Sequence, residues 1–256
     1  MCHHKKAVQT TFSRSAGKYV SSALHAKGED LQTLVEMMKT TGKEKVLDIA
    51  VGGGHVSNAL APKANEVIAM DVTREMLQSA EAFIRGNGHE NVRYVEGDAE
   101  NMPFEDREFE IAVCRIAAHH FTRPDVFLEE AFRVIKEGGT FYLLDNTAPE
   151  INEFDSFYNK IEKKRDPSHA RAWKKSEWMA KIEAAGFTVQ HLQRFPKTFH
   201  FQDWCDRLDV SNSIRKELHQ QMMASSKAIQ GKFKIEMSDG EVSSFSGESV
   251  LLKATK

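Results

Sequence analysis

Residues Val46 to Gly54 read Val-Leu-Asp-Ile-Ala-Val-Gly-Gly-Gly, and this stretch decides the fold. Its apolar first half is typical of a buried strand, and its three successive glycines predict a turn that leads into a helix. Glycine lets a backbone approach a bound molecule closely, and the first turn of a helix offers unpaired N–H groups. The stretch therefore predicts a ligand-binding turn at the end of the first strand.

Short β-type runs alternate with helical runs around and after this turn. Helical spacing of apolar residues, with Thr73 as the N-cap, predicts a helix that ends at Gly86, and a second predicted helix extends from Pro124 to Gly138-Gly139. Such alternation is typical of a parallel sheet that helices cover on both faces. We therefore predict an α/β fold with five strands in this region: Lys45–Ile49, Glu66–Met70, Val92–Glu96, Glu110–Cys114 and Thr140–Leu144.

The length of the chain favours one large domain, because it has 256 residues of which 41% are hydrophobic. We divide this domain into an N-terminal helical lid (residues 1–40), a cofactor-binding core (41–149) and a segment that shapes the substrate pocket (150–256). The elements predicted in the flanking parts are a helix over 29–39, a helix over 177–185 capped by Ser176, a strand over 187–192, helices within 202–230 and a last strand over 249–254.

The charge of the chain gives no global attraction to polyanions. Its 35 basic and 37 acidic residues leave a net charge of -2, so we expect no nucleic-acid partner. The basic residues between Lys160 and Lys175 are interpreted as a solvated face. No run approaches the roughly 20 apolar residues that span a bilayer, and the three cysteines are widely spaced. We therefore expect a cytoplasmic protein without membrane insertion, disulfides or a zinc site.

Carboxylates stand at the ends of three predicted strands, at Asp48, Asp71 and Asp98. A dinucleotide-binding turn would have a third glycine three residues after Gly54, where this chain has Ser57. Asp48 would also repel a pyrophosphate, whereas its charge suits a cationic group such as the amino group of a methionine moiety. The turn therefore favours S-adenosylmethionine over a nicotinamide dinucleotide.

On these residues the chain resembles the class I S-adenosylmethionine-dependent methyltransferases, most closely the small-molecule branch with the C-methyltransferases of ubiquinone and menaquinone biosynthesis. The resemblance extends over residues 12–149 and is carried by Val46–Gly54, Met70–Val72, Glu96–Phe104, Glu108–Cys114, His119–Phe121 and Arg133–Gly139. It implies a Rossmann-like, doubly wound sheet, mostly parallel with an antiparallel last strand. It also implies S-adenosylmethionine as the cofactor and S-adenosylhomocysteine as the product.

For the methionine and ribose parts of the cofactor, the resemblance implies contacts at the ends of the first two strands. Asp48 would hold the methionine part, and Asp71 would accept hydrogen bonds from both ribose hydroxyls. The backbone of the turn would frame the ribose, and its residues are Ala50, Gly52, Gly53 and Gly54. The family usually has glycine at the position of Ala50, and we expect the methyl group to be tolerated if φ there is below zero.

For the adenine, the resemblance implies packing on Val72 and Met76. The turn from Gly97 to Ala99 would supply the hydrogen bonds. In it, Asp98 would accept from the adenine amino group and Ala99 would donate its backbone N–H.

The acceptor side of the site is expected around Arg115, which would line the cofactor at the close of the fourth strand. Tyr19 and Phe12 are interpreted as an aromatic lid over the sulfonium, where cation–π attraction would be favourable. His119 and His120 follow the fourth strand. His120 is the candidate general base for an acceptor with an acidic proton, and the alternative is that the pair is structural.

No metal ion is expected. Asp145 and Asn146 follow the fifth strand, where metal-dependent O-methyltransferases place ligands. Such a site also needs a carboxylate after the fourth strand, and this chain has Cys114 and Arg115 there.

These patterns together predict an enzyme that transfers a methyl group to a small organic acceptor by in-line displacement. Two alternatives stay open: an RNA or protein methyltransferase, and a non-catalytic protein that binds S-adenosylmethionine. The chain has no Asn-Pro-Pro-Tyr or Asp-Pro-Pro-Tyr motif after the fourth strand, which argues against methylation of adenine amino groups.

Overall fold

The computed structural model describes residues 3–21 and 28–256, with the side chains of residues 4–13 and 28–256. In these ranges the strands are β1 (Lys45–Ile49), β2 (Glu66–Asp71), β3 (Val92–Glu96), β4 (Phe109–Arg115), β5 (Ile135–Asn146), β6 (Thr188–His200), β7 (Glu236–Ser238) and β8 (Glu241–Thr255). The helices are α1 (His3–Ser21), α2 (Glu29–Met38), α3 (His55–Leu60), α4 (Arg74–Gly86), α5 (Pro124–Val134), α6 (Asn152–Arg165), α7 (Lys175–Ala184), α8 (Phe201–Asp206), α9 (Asn212–Met223) and α10 (Lys227–Lys232).

The order of the strands determines where a ligand can bind. Across the sheet the order is β3-β2-β1-β4-β5-β8-β6, and β7 pairs with β8. Strands β1 to β5 are parallel to one another, and β8 is antiparallel to both β5 and β6. The chain changes winding direction between β1 and β4, and ligands of open parallel sheets bind beyond the carboxyl ends of such strands. The predicted fold, mostly parallel with an antiparallel last strand, is confirmed.

Helices cover both faces of the sheet with apolar side chains. One face packs under α5 and α7, which contribute Phe127 and Trp178. The other face packs under α2, α3 and α4, which contribute Leu34, Leu60 and Ala80. Burial of a large apolar side chain contributes about 1.5–3 kcal/mol, so these two layers fix the strand ends as a rigid platform.

Strands β6 and β8 extend further than the sequence predicted, to His200 and back to Glu241. Their extensions form a third apolar cluster with α6, α8 and α9, around Tyr158, Trp204 and Phe245. The helical region predicted over residues 202–230 is divided into three separate helices, α8, α9 and α10. None of the helices that the structure describes is long and apolar enough to cross a membrane.

The helix predicted to extend from Pro124 to Gly138 is shorter than expected. It ends at Val134, and β5 begins at the next residue. Gly138 and Gly139 therefore lie within β5, where a Cβ on Gly139 would stand 2.9 Å from the carbonyl oxygen of Glu110. Gly139 allows the close contact between β4 and β5, and Gly138 supplies a left-handed backbone with φ of 76°. Neither glycine ends a helix, although a glycine pair gives the same sequence signal in both cases.

Of the two predicted helix caps, the position of Thr73 is confirmed and the cap at Ser176 is wrong. Thr73 stands at the N-cap position of α4, but its side chain makes no capping hydrogen bond. Helix α7 begins at Lys175, so Ser176 lies inside it, and the Ser176 hydroxyl donates to Glu150. In both cases the sequence placed the helix start to within one or two residues, and tertiary contacts decided what the side chain does.

The basic run from Lys160 to Lys175 has acidic partners within the chain. Arg171 pairs with Asp155 at 2.9 Å, and Lys175 pairs with Glu248 at 2.7 Å. Surface ion pairs of this kind contribute about 0–1 kcal/mol each. These two basic residues therefore serve to join α6, α7 and the sheet.

We predict that Gly54→Ala lowers the free energy of unfolding by about 2–4 kcal/mol, combining left-handed strain with overpacking. Gly54 has φ 83°, and a Cβ there would stand 3.0 Å from Ile84 Cδ1 and 3.1 Å from Ala80 Cβ on α4. The matched control is Gly42→Ala, at φ 84° with no atom within 4 Å of the added carbon, which should lose only about 1–2 kcal/mol. Equal losses in urea unfolding would contradict the packing role of Gly54.

Candidate functional site

The turn after β1 holds three residues in the left-handed backbone region. The φ angle is 57° at Ala50, 54° at Gly52 and 83° at Gly54. Glycine adopts this conformation without steric cost, which explains the sequence signal. The backbone N–H of Val51 donates to the carbonyl oxygen of Met70 at 2.9 Å and joins the turn to β2. The turn is thereby fixed beside the carboxyl ends of β1 and β2.

Ala50 does not meet the condition under which we expected its methyl group to be tolerated. Tolerance was expected if φ is below zero, and the structure has φ of 57°, so the condition is not met. A residue with a Cβ costs roughly 1–2 kcal/mol in the left-handed conformation. Strain of this size persists where the surrounding structure fixes the backbone. Here Ala50 directly follows β1, and the next residue, Val51, is hydrogen-bonded to β2.

Asp71 ends β2 and faces the glycine turn. Its Oδ2 accepts a hydrogen bond from the Gly52 N–H at 3.1 Å, and its Oδ1 accepts from the Thr73 N–H at 2.9 Å. Burial raises the pKa of Asp71 to about 6, although these hydrogen bonds act in the opposite direction. A desolvated carboxylate held by backbone N–H groups is well suited to accept further hydrogen bonds from a ligand.

Asp48 lies on the neighbouring strand, at the end of β1, and is only 2% exposed. Its Oδ2 accepts from the Ser57 N–H at 3.0 Å and from the Ser57 hydroxyl at 2.7 Å. Burial raises the pKa of Asp48 to about 7. Ser57 interrupts the dinucleotide glycine pattern in the sequence, and the structure gives it a use that the sequence analysis missed.

An open cavity lies over the glycine turn, and a smaller recess adjoins it. We call the two together the trough. Most of the predicted site residues line it: Asp48, Ala50, Gly52, Gly53, Asp71, Val72, Met76, Arg115 and His120 in the cavity, and Gly97, Asp98 and Ala99 in the recess. The structure thus brings together residues that are up to 72 positions apart, from Asp48 to His120.

Two predicted residues stand apart from this group. Gly54 packs against α4 and is not among the residues that line the trough. Tyr19 lies in α1, but its side chain is outside the described residues, so its role as part of a lid stays a prediction.

Helix α1 lies across the trough and contacts both of its parts. Val8 lines the cavity and the recess. The Gln9 side chain donates to the carbonyl oxygen of Val72 at 2.8 Å. The Phe12 ring meets the His120 ring edge-on, with 5.0 Å between their centroids. Helix α1, which lies within the predicted N-terminal lid, therefore covers the trough.

Lys5 of α1 reaches into the recess and pairs with two carboxylates. Its Nζ contacts Asp98, and it lies 2.9 Å from Glu100. Although burial opposes the change, hydrogen bonds from Lys5 and Arg123 lower the pKa of Glu100 to about 2. Sequence analysis missed Lys5 and Glu100, because the ion pairs join segments more than 90 positions apart and no local pattern marks them.

The two histidines after β4 have different surroundings. Asp145 accepts from the His119 N–H at 2.8 Å and lies 2.6 Å from His119 Nδ1; burial opposes the effect, but this carboxylate raises the pKa of His119. His120 Nδ1 lies 3.0 Å from the Ser168 carbonyl oxygen, which can only accept. We therefore assign the hydrogen of neutral His120 to Nδ1 and the lone pair to Nε2. Burial and His119 lower the pKa of His120 to about 4.

Arg115 ends β4 and lines the cavity. It donates to Asp30 Oδ1 at 3.0 Å, and Lys197 of β6 lies 3.4 Å from Asp30 Oδ2. The three side chains are between 5% and 14% exposed, so two cations share one carboxylate in a buried setting. Asp30 and Lys197 were not predicted as site residues, and nothing in the local sequence distinguishes them from surface charges.

Residues 47–143 match the family model described as a methyltransferase domain. The methyltransferase YcgJ of Bacillus subtilis is 34% identical over 249 residues, which cover 97% of this chain and 98% of that protein. A demethylmenaquinone methyltransferase of Thermotoga maritima is 31% identical over 61% of this chain and 70% of its own length. A Bacillus halodurans protein assigned as a methyltransferase has a solved structure with TM-score 0.88 and 52% identity, covering 90% of this chain and 99% of that one.

The chain therefore belongs to the methyltransferase domain family. It is a class I S-adenosylmethionine-dependent methyltransferase with a Rossmann-like fold, and it resembles the ubiquinone and menaquinone C-methyltransferases. S-adenosylmethionine is its cofactor. The trough fits this molecule chemically, because buried Asp48 and Asp71 face a turn where a Cβ on Gly52 would point into the cavity.

The raised pKa of Asp71 should make the free energy of unfolding of this protein depend on pH. Its pKa rises from the ordinary value of 3.8 to about 6 on folding, so the folded state binds more protons between these values. Its contribution to the free energy of unfolding therefore increases as the pH falls through 6. We predict that, between pH 8 and pH 5, the stability of the wild type relative to Asp71→Asn increases by about 1 kcal/mol.

Urea unfolding of both proteins at the two pH values measures this change. Groups whose pKa does not depend on Asp71 cancel in the difference. Asp48, whose pKa Asp71 raises, adds a change in the same direction. A difference that does not vary with pH would mean that Asp71 is not desolvated in the folded protein.

Proposed function

We propose that this methyltransferase acts on a small organic acceptor that binds beside the cofactor and beneath α1. The shape and lining of the cavity carry the proposal. Outside the cofactor motifs, its walls are mainly apolar or aromatic, with Val8, Phe12, Ile116 and Phe121 among them. Covered apolar cavities with few polar groups are typical of small-molecule sites. The similarity to quinone-pathway C-methyltransferases supports the same class of acceptor.

We propose that the cofactor lies along the trough as the family pattern implies. Asp48 and the glycine turn hold the methionine part, and Asp71 accepts from the ribose hydroxyls. The adenine packs on Val72 and Met76 beside the turn from Gly97 to Ala99. In this arrangement Asp98 accepts a hydrogen bond from the adenine amino group. This hydrogen bond replaces part of the ion pair between Asp98 and Lys5.

When bound, S-adenosylmethionine supplies an activated methyl group, so no covalent enzyme intermediate is needed. The task of the chain is to align the acceptor and to exclude water, and alignment can contribute about 7–11 kcal/mol. Phe12 and Phe121 cover the cavity on the acceptor side. For an acceptor with an acidic proton, His120 takes that proton at Nε2, where its lone pair is available.

The first experiment is calorimetric titration of the protein with S-adenosylmethionine, S-adenosylhomocysteine and NAD. Binding of the first two without NAD supports the cofactor site, whereas binding of NAD alone would overturn it. Transfer of labelled methyl groups to small phenols, enols and amines is then compared with transfer to RNA and to protein. Turnover confined to RNA or protein would overturn the proposed acceptor class, and cofactor binding without any turnover favours a binding protein.

Asp71→Ala should weaken binding of S-adenosylmethionine by about 1–3 kcal/mol, because charge-assisted hydrogen bonds to the ribose are lost. In the wild type the affinity should fall as the pH decreases through about 6, where the Asp71 carboxylate becomes protonated. Asp239→Ala, at an exposed turn, is the control. Unchanged affinity in a folded Asp71 variant would remove the ribose role.

Lys5→Met should increase the affinity for adenosine, because Asp98 no longer has to leave an ion pair before it accepts from the adenine. The expected gain is about 2–5-fold, since a partly exposed pair contributes about 0.2–1 kcal/mol. Lys6→Met, one position along on the exposed side of α1, is the matched control. If Lys5→Met bound adenosine no better than Lys6→Met, competition between Lys5 and the adenine would be excluded.

A further inference from the structure

Four adjacent strands each place one polar residue on the same face of the sheet near the trough. Arg115 of β4 pairs in register with Leu144 of β5, and Asn146 lies two residues further along β5, hence on the same face. Asn146 pairs with Ser249 of β8. Ser249 in turn pairs with Phe195 of β6, which shares its face with Lys197. We call Arg115, Asn146, Ser249 and Lys197 the polar row.

Asp30, in the first turn of α2, lies over this row. It bonds Arg115 at one end and Lys197 at the other, through its two different carboxylate oxygens. Asn146 and Ser249 belong to the strands between those that carry the two cations. The row and Asp30 thus surround a small region on the α2 face, and Arg115 connects it to the cofactor cavity.

Two cations in this region share one directly bonded carboxylate, Asp30. Asp48 acts on Arg115 and has its pKa raised to about 7 by burial, and Asp145 acts on Lys197 from a greater distance. Burial lowers the pKa of Lys197, and Arg115 lowers it further, against the opposite effects of Asp30 and Asp145. An additional anion would therefore stabilise the charged lysine.

Two side-chain oxygens of the row have no hydrogen-bond partner in the part of the chain that the structure describes. They are Asn146 Oδ1 and Ser249 Oγ, and Ser249 is 0% exposed. A buried polar atom without a partner costs about 1–3 kcal/mol, so such atoms in native proteins usually have a ligand or water. The Ser249 hydroxyl can donate to an anion, as Arg115 and Lys197 can.

We propose that Arg115, Ser249 and Lys197 form a carboxylate-binding subsite, which adjoins the trough through Arg115. Asn146 Oδ1, which only accepts, would hold a donor group of the same ligand or a bridging water. The carboxylate belongs either to the amino-acid part of the cofactor or to the methyl acceptor. This proposal rests on the proposed function, because it places the subsite beside the cofactor's methionine end.

The test compares S-adenosylhomocysteine with 5′-methylthioadenosine, which retains the adenosine thioether but lacks the carboxylate. Lys197→Met removes one cation and leaves Asp30 paired with Arg115, so no buried carboxylate loses its only partner. Arg194→Met is the matched control, because Arg194 lies on the same strand and pairs with Glu248 at the surface. Thermal unfolding confirms that each variant is folded.

If the carboxylate is that of the cofactor, Lys197→Met weakens S-adenosylhomocysteine about tenfold and leaves 5′-methylthioadenosine unchanged. If it belongs to the acceptor, both affinities are unchanged, and acetate added to the protein saturated with S-adenosylhomocysteine shifts NMR signals in the wild type but not in Lys197→Met. No dependence on Lys197 in either arm overturns the subsite and leaves the ion pairs a role in the fold alone.

If 5′-methylthioadenosine binds to all variants, the proposed cofactor site stands even when the carboxylate subsite is overturned. Failure of both nucleosides to bind the wild type would overturn the proposed cofactor arrangement, and the subsite with it. Ser249→Ala adds an independent readout, since loss of an unpaired hydroxyl should raise the melting temperature while it lowers carboxylate affinity severalfold. A higher melting temperature with unchanged affinity would exclude Ser249 from the subsite.

Discussion

The left-handed backbone at Ala50, Gly52 and Gly54 is the constraint on which the site depends. It turns the chain out of β1 so sharply that α3 can begin against α4, with Gly54 in close contact with that helix. The same turn directs the Gly52 N–H to Asp71 on the next strand. Packing of the helices and formation of the trough are therefore consequences of a single backbone conformation, and the strain at Ala50 is tolerated because both neighbouring strands hold it.

The carboxylates around the site form two groups with opposite electrostatics. Asp48 and Asp71 are buried with serine and backbone donors as their hydrogen-bond partners, and burial raises the pKa of each. For Asp30 and Glu100 burial acts in the same direction, but cationic side chains of the chain lower the pKa of both. The first group is desolvated and, among the described residues, has no directly bonded cation, which suits a ligand that carries hydroxyl and ammonium groups. The second group anchors the elements that surround the trough.

Local pattern predicted the core of the fold but not every element boundary. The strand at Lys45–Ile49 and the strand at Val92–Glu96 were predicted with the observed limits, because buried β-type runs bounded by turns leave little choice. The glycines at 138 and 139 were misread as a helix end, since glycine marks a helix stop and a close strand contact alike. Most of the predicted cofactor residues line one trough, because parallel strands bring their carboxyl ends to the same edge of the sheet.

The sequence by itself determined the α/β fold, the glycine turn and the acidic residues at the strand ends, because these depend on backbone conformation and on short-range periodicity. Tertiary structure alone decided that Ser57 binds Asp48, that Lys5 enters the recess and that Arg115 and Lys197 share Asp30. Lys5, Arg115 and Lys197 meet partners tens of residues away in the chain, and Ser57 meets Asp48 only because the left-handed turn folds α3 back onto β1. Such contacts depend on how the layers pack, and no local pattern records them.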